Sequence, residues 1–456
     1  MAGWDRLDVM LQQELRQLQE EGYIIDAGIH AAAGRLETDA DIEVFFATLR
    51  QLPQDPQYPF FEPAELDRIM KAAVMPARPS QGTTFDRIHG ALVGRCIGCS
   101  LGKPLETGPY FWESSQDRPG WLNVKRWFVG AGAYPISDYV PSHSRAETTH
   151  GLHVINPACQ KDQIAFMDTD DDIRYTLIGL LLLEKHGFAF DPFDVGAMWH
   201  AVLPYRFVCT AETQAYLNFA HVSHHLGMKP DGGLSPEMQD YVRTHINPYR
   251  EWIGAQIRID GYGYVAAGDP LTAARLAYQD ASFSHVKNGV YGAMFFAALI
   301  AMALVEKDLD CCLDHALAVI PATSRLYRYI KRTIVIARAA ATAEQLVEQV
   351  WEYLLDYGCT HTINNACCCV AAIVFAKGDF SLAVTTAVLF GLDTDCNGAT
   401  VGSVMGALVG EREIPDHWKR PLNDTIYAAL PDFHPIAITA VAKRFYALHE
   451  RFRIDG

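Results

Sequence analysis

The chain has 456 residues, half of them apolar and 20% charged, with a net charge of −16. It can bury a large core and is long enough for one large domain or two to three ordinary ones. The acidic balance excludes nucleic acid or an anionic membrane as the main partner, because phosphate-rich surfaces need clustered Lys and Arg; a phosphate-bearing small ligand stays open.

The opening stretch MAGWDRLDVMLQQELRQLQEEG reads as a charged amphipathic helix over 5–22 and not as a signal peptide. Helical periodicity returns at 38–50 and 63–76, and PARPSQGTT then breaks it. Residues 1–80 are therefore expected to form an N-terminal helical extension and 81–456 the main domain. A helix is predicted over 84–102. An irregular section, 103–165, follows, dense in aromatics, Gly, Pro and His. A loop of that length in a compact domain is usually functional or disordered, and its Trp and Tyr favour a ligand-facing role. Further helices are predicted over 170–186, 192–202, 211–225, 236–244, 248–258, 271–283, 288–305, 310–319, 324–341, 343–356, 364–377, 380–391, 396–409 and 436–450. Gly187 and Gly378 stand where helix C-caps belong. No convincing alternating strand occurs, so the fold class is all-α.

The longest apolar run, YGAMFFAALIAMALV, falls short of the ~18 residues of a membrane span and reads as a core helix. A cytoplasmic chain is expected, with no membrane partner. The 11 cysteines include the run Cys367, Cys368, Cys369, which suits small buried residues in a reducing compartment better than disulfides. Cys96 and Cys99 form a CxxC inside an apolar helix with no second pair, and packing is the better reading.

Two predicted helices carry glycine at every fourth position: Gly90, Gly94, Gly98, Gly102, and Gly398, Gly402, Gly406, Gly410. Each interior helical glycine costs about 1 kcal/mol relative to alanine. Spacing by four places each row on one face, where glycine permits close approach of backbones. The rows pack on each other, or each against a third central helix.

Acidic groups stand at the ends of these helices. Gly102-Lys103-Pro104-Leu105-Glu106 presents Glu106 on a turn, and Asp393-Thr394-Asp395 opens the second row. A third segment, MDTDDDIRYTLIGLLLLEKHG, places Asp168, Asp170, Asp171 and Asp172 before an apolar helix. One or two such residues cap a helix; this many exceed that need. Buried together, they repel at a cost of several kcal/mol unless protons or cations compensate. Carboxylates with a Thr hydroxyl suit Mg²⁺, Mn²⁺ or Ca²⁺, and no zinc spacing is present.

The ordered trio G-x-P-x-E (Gly102 to Glu106), T-D-D (Thr169, Asp170, Asp171) and D-T-D (Asp393 to Asp395) resembles the ADP-ribosylglycohydrolase superfamily. That superfamily includes the dinitrogenase reductase-activating glycohydrolases and the ADP-ribosyl-acceptor hydrolases. The stretches 257–292 and HTINNA (361–366) are similar to a bacterial branch. The resemblance implies an all-α orthogonal bundle with two Mg²⁺ ions, or Mn²⁺, at the base of a cleft. It implies hydrolysis of the bond from the ribose anomeric carbon of ADP-ribose to an acceptor. Carried over, Thr169, Asp170, Asp171 and Asp395 hold one ion, while Asp393, Asp395 and Glu106 approach the second. Glu106, Asp171 and Asp393 become the catalytic carboxylates. The chemistry is consistent: an oxocarbenium-like state needs a positioned water and an acid or base beside it.

Two positions depart from the family pattern. Cys396 follows D-T-D where Ser or Thr is usual, a soft ligand that weakens the second ion site or leaves it to Asn397. Asp172 follows T-D-D in place of Thr or Ser, which puts the acceptor in question. His285, Asn288, His361, Asn364 and Asn365 fit ribose or phosphate ligands and fit helix caps equally well. Trp121, Trp127, Tyr134, Tyr139 and Tyr262 either stack on a base or anchor loops. Arg174 is expected to pair with an aspartate of its own turn. The leading expectation is a Mg²⁺-dependent ribosyl hydrolase. The alternatives are a hydrolase of a small ribosyl metabolite or nucleoside, and a non-catalytic, metal-dependent ADP-ribose binder. Oligomeric state is not legible.

Overall fold

The computed structural model describes residues 3–71, 82–115, 117–223, 229–354 and 357–455. These are helical almost throughout, with one antiparallel pair of short strands, Thr425–Ile426 and Ile436–Ala437. The all-α expectation holds. Among the described residues no helix is long and apolar enough to cross a membrane.

The two glycine-bearing helices, Phe85–Gly102 and Thr394–Val409, lie against each other in antiparallel register. Gly90 meets Gly406, Gly94 meets Gly402, Gly98 meets Gly398, and Gly102 meets Thr394. Of the two dispositions the spacing allowed, the structure takes the direct one. A Cβ added at Gly90 would stand 2.5 Å from the Glu411 amide nitrogen and 2.6 Å from the Gly406 carbonyl oxygen, and at Gly94 and Gly98 it would come closer still. Gly410 is not an interior member of its row: it caps the helix at φ 88°, a conformation that favours glycine.

Around this pair pack the helices Asp171–His186, Lys287–Ala303 and Thr362–Ala376. Lys287–Ala303 is the apolar run, buried along nearly its whole length as expected of a core helix. All 11 cysteines are free, and Cys367, Cys368 and Cys369 are fully buried.

Several boundaries differ from the sequence reading. The section 103–165 contains the helices Gly120–Gly130 and Ala146–His150; Pro119 and terminal glycines disguise the first. Residues 248–258 form a helix only as the 3-10 turn Ile253–Arg258, because Trp252 is extended and bridges His361. The C-terminal helix begins at Ile438, the residues before it being taken by the strand pair. The ends of the predicted helices 63–76, 211–225 and 343–356 lie partly outside the described residues.

The N-terminal helices Leu7–Glu20 and Asp39–Leu49 are fastened to the rest of the chain in two ways. Leu11, Leu15 and Leu18 of the helix Leu7–Glu20 and Ile42 and Phe46 of Asp39–Leu49 share an apolar cluster with Ala211, Ile246 and Tyr249. Beside it runs a buried ion network. Arg250 pairs with Glu14 at 2.6 Å and Glu21 at 2.8 Å. Arg325 pairs with Glu62 at 2.8 Å and Glu251 at 2.7 Å. Such charges are tolerable in the interior only because each is answered.

Candidate active site

The three acidic segments converge at the base of a cleft of about 1220 Å³, where Glu106, Asp171, Asp393 and Cys396 face the cavity. Behind them, ligand atoms of Cys99, Asp170, Asp172 and Asp395 lie within 4.8 Å of one another, as do those of Asp393, Asp395 and Cys396. The glycine contact brings these ends together. Opposite Gly102, the Thr394 hydroxyl donates to the Gly102 carbonyl at 2.9 Å, tying the Glu106 turn to the D-T-D turn.

Capping explains only part of the acid. Asp170 is a true N-cap, its Oδ1 accepting from the Asp172 amide at 3.0 Å. Asp393 occupies the N-cap position of its helix without a well-formed side-chain cap bond, and its carboxylate lines the cleft.

Basic groups answer the rear of the cluster. Arg95, fully buried in the first glycine helix, pairs with Asp172 at 3.0 Å and with Asp260 at 3.0 Å. Lys103 stands 3.4 Å from Asp170 and 3.5 Å from Asp168, and its ammonium donates to the Thr169 carbonyl. Arg174 donates to Thr169 Oγ1 at 2.7 Å and not to an aspartate of its turn. Burial disfavours ionised Asp170, but Lys103 and Arg174 outweigh it and hold the carboxyl below its ordinary range.

On the cleft side burial outweighs what answer there is: Arg174 beside Asp171 and the hydrogen bonds of Asp393. Burial first, then Asp170, pushes Asp171 up to about 7. Burial and Asp393 raise Glu106 well above the usual carboxylate range, and burial and Glu106 do the same to Asp395. Burial also raises Asp393. Asp395 Oδ1 is buried with no hydrogen-bond partner. Each group joins carboxylates to one thiol, and its carboxylates, one oxygen of which is orphaned, are the part that fits a hard divalent cation. The Cys396 thiol, pushed well up by burial and Asp172, donates to Asp172 Oδ2 at 3.1 Å. It acts here as a hydrogen-bond donor, which separates it from the role of a soft ligand.

These shifts give a pH dependence with a definite sign. In the metal-free protein Asp171, Asp393, Asp395 and Glu106 bind protons more tightly folded than unfolded, where carboxyls titrate near about 4. Their contribution to stability is fully present below that pH. It is lost as pH rises through the folded values, about 7 for Asp171. Burial holds His89, His200, His245 and His285 low, and these act in the opposite sense over the same range, so the readout is a difference: the melting temperature of wild type minus that of Asp393→Asn, both in chelator, should fall between about pH 4 and 7, and Mg²⁺ should flatten that fall. A difference in chelator that is level over this range would contradict the clustering of buried carboxylates.

The other candidates divide by position. Asn365 supports the site from behind: its Oδ1 accepts from the Asn397 side chain at 2.8 Å and the Asp393 amide at 3.4 Å. Asn397 is committed to Asn365 and, at 3.3 Å, to the Cys369 thiol, so it does not stand in for the missing hydroxyl. Asn364 donates to the Gly358 carbonyl. His361 caps its own helix through Nδ1, 3.1 Å from the Ile363 amide. His285 is buried beside Ser284 and held well below its ordinary value by burial, and Asn288 is tied to Glu62 and Glu251. Neither lines the cleft. Tyr134 lies elsewhere, its hydroxyl donating to Glu344 at 2.5 Å. Trp121 and Trp127 are packed inside, and Tyr139 and Tyr262 donate to Trp418 and Asp280. The aromatics on the cleft are instead Trp4, Phe111, Trp112, Trp252 and Tyr357. Sequence reasoning also passed over Arg95, Lys103 and Glu212; Lys103 sits inside the G-x-P-x-E segment, the one available signal.

The ADP-ribosylglycohydrolase family model matches residues 80–452. No curated protein sequence matches the chain. A solved structure described as "ADP-ribosylglycohydrolase-related protein complex" superposes with a TM-score of 0.47 at 19% identity, covering 80% of this chain and 98% of that chain. The family match spans all three acidic segments and both glycine helices, and the chain belongs to the ADP-ribosylglycohydrolase family, metal-dependent hydrolases of ADP-ribosylated substrates.

Proposed function

We propose that the chain is a Mg²⁺-dependent hydrolase of a ribosyl glycosidic bond, with ADP-ribose on a modified acceptor as the simplest substrate of its family. The carrying observation is the orphaned Asp395 oxygen at the meeting point of three acidic segments. Thr169, Asp170, Asp171 and Asp395 would hold one ion, and Asp393, Asp395 and Glu106 a second, with Mn²⁺ an acceptable substitute. Such an ion neutralises the carboxylates and lowers the pKa of a bound water.

The chain's own residues do the rest. Lys103 and Arg174 keep Asp170 ionised. Asn365 fixes the D-T-D turn from behind. Asp171 and Asp393 face the cavity as candidate proton acceptors. Glu106 faces the cavity, where a carboxyl can give a proton to the leaving group. A non-catalytic binder would have no use for all of these carboxylates on the cleft. Hydrolysis of a small uncharged riboside is a second reading, favoured by the cleft wall described below.

The test is release of product from ADP-ribosyl-arginine, ADP-ribosyl-serine and adenosine, with Mg²⁺ and after chelation. Turnover of at least one that disappears on chelation is the expected result. No turnover of any with metal verified as bound, or turnover indifferent to chelation, would sink the reading.

A further inference from the structure

The family match begins at residue 80, yet the cleft draws on residues before it. Trp4, Asp5, Gln13 and Arg16 line the same cavity as Glu106, Asp171 and Asp393. We infer that this N-terminal segment is the recognition wall of the site and that, with Trp112, it selects an uncharged riboside carrying a planar base over the pyrophosphate of ADP-ribose. The inference rests on the ribosyl hydrolysis proposed above.

The wall is fixed in place. Besides the apolar cluster and the Arg250 ion pairs, Gln17 donates to Glu251 at 2.7 Å and Tyr249 donates to Asp5 Oδ2 at 3.0 Å. The Trp4 amide donates to Gln214 at 3.2 Å. A wall anchored to Glu251 and Gln214 of the body holds its shape around a ligand.

Its surface suits a flat apolar ring. Trp4 is 47% exposed and Trp112 is 59% exposed, both on the cavity, with Trp252 and Tyr357 beside them. Indole faces stack on any planar base.

Its charge disfavours a pyrophosphate. Beyond the acid cluster the lining carries Asp5 and Asp117. Glu212 is answered by Arg258 at 2.7 Å. Arg16 is the only side-chain cation on the lining among the described residues, and it is engaged with Glu20 at 2.9 Å. A dianionic diphosphate lying along this wall would meet Asp5 and Asp117 with Arg16 alone to offset them; a neutral base would not. The implied reaction is balanced. The oxygen of water bonds the anomeric carbon, the C–N bond breaks with its electron pair leaving on the base, and the proton shed by water ends on that base.

The test compares kcat/KM for adenosine and uridine with that for ADP-ribosyl-arginine, using the full chain with Mg²⁺ and the variants Trp4→Ala and Trp112→Ala. Both side chains are exposed, and circular dichroism checks that each variant folds. The expected result is a preference for nucleosides, with each variant raising the nucleoside KM about tenfold, the loss falling on KM more than on kcat. Turnover of ADP-ribosyl-arginine without turnover of nucleosides would overturn the inference while leaving ribosyl hydrolysis standing. Unchanged nucleoside kinetics in both variants would also overturn it. Hydrolysis of none of the three, nor of ADP-ribosyl-serine, would remove both readings together.

Discussion

Gly98→Ala is expected to destabilise the protein by about 3–5 kcal/mol, at the upper end of what a single added methyl can do. The added Cβ would fall inside the van der Waals shell of the Gly398 carbonyl, and the atom it meets is backbone. A side chain could swing away; a carbonyl in a buried helix cannot move without its whole helix. Both helices are buried along the contact, so neither can retreat toward solvent. Gly34→Ala is the matched control. Gly34 is exposed, has φ −71°, and its added Cβ would stand 3.5 Å from the nearest heavy atom. That change should be neutral or stabilising by about 0.4–1 kcal/mol, because it restricts the unfolded chain. Urea unfolding of the two variants beside the wild type makes the comparison. A Gly98→Ala protein within about 1 kcal/mol of wild type would show that the rows do not touch through backbone.

Asp393→Asn is expected to lower turnover by about 10²–10⁴-fold while raising the melting temperature of the metal-free protein. The two effects come from one cause. Asp393 is buried with its pKa raised, among Glu106, Asp170, Asp171 and Asp395. An amide of the same shape removes one unit of repulsion and one desolvated charge. It also removes a carboxylate from the cleft, and with it the proposed cation ligand and proton acceptor. Stabilisation of the variant by added Mg²⁺ should shrink correspondingly. A variant that keeps full activity, or one whose metal-free form melts lower than wild type, would place the functional carboxylates elsewhere.

Local signals in this sequence were strong where a residue's role depends on its near neighbours along the chain. Four-residue glycine spacing announced a close helix contact, and the helix bounds of Phe85–Gly102 and Asp171–His186 fell within a residue of the periodicity. An excess of aspartates before an apolar helix announced charge that caps alone could not use. Signals failed where one residue type serves two ends. Asn288, Asn365 and His361 all stand in the first turns of helices or cap them, and nothing local separates a cap or a buried network from a ligand. Asn288 turned out to join Glu62, Asn365 to brace the D-T-D turn, and His361 to cap its helix.

By itself, then, the sequence determined the helical class, the glycine faces and the acidic ends, since these follow from periodicity and from residue chemistry within a few positions. Only the tertiary structure decided that Gly98 meets Gly398, that Arg95 and Lys103 pair with Asp172 and Asp170 at the rear of the acid cluster, and that Trp4 and Trp112 share one cavity. Those pairings join residues far apart in the chain. They are selected by packing and by the electrostatic cost of leaving a buried charge alone, and neither quantity exists until the helices are assembled.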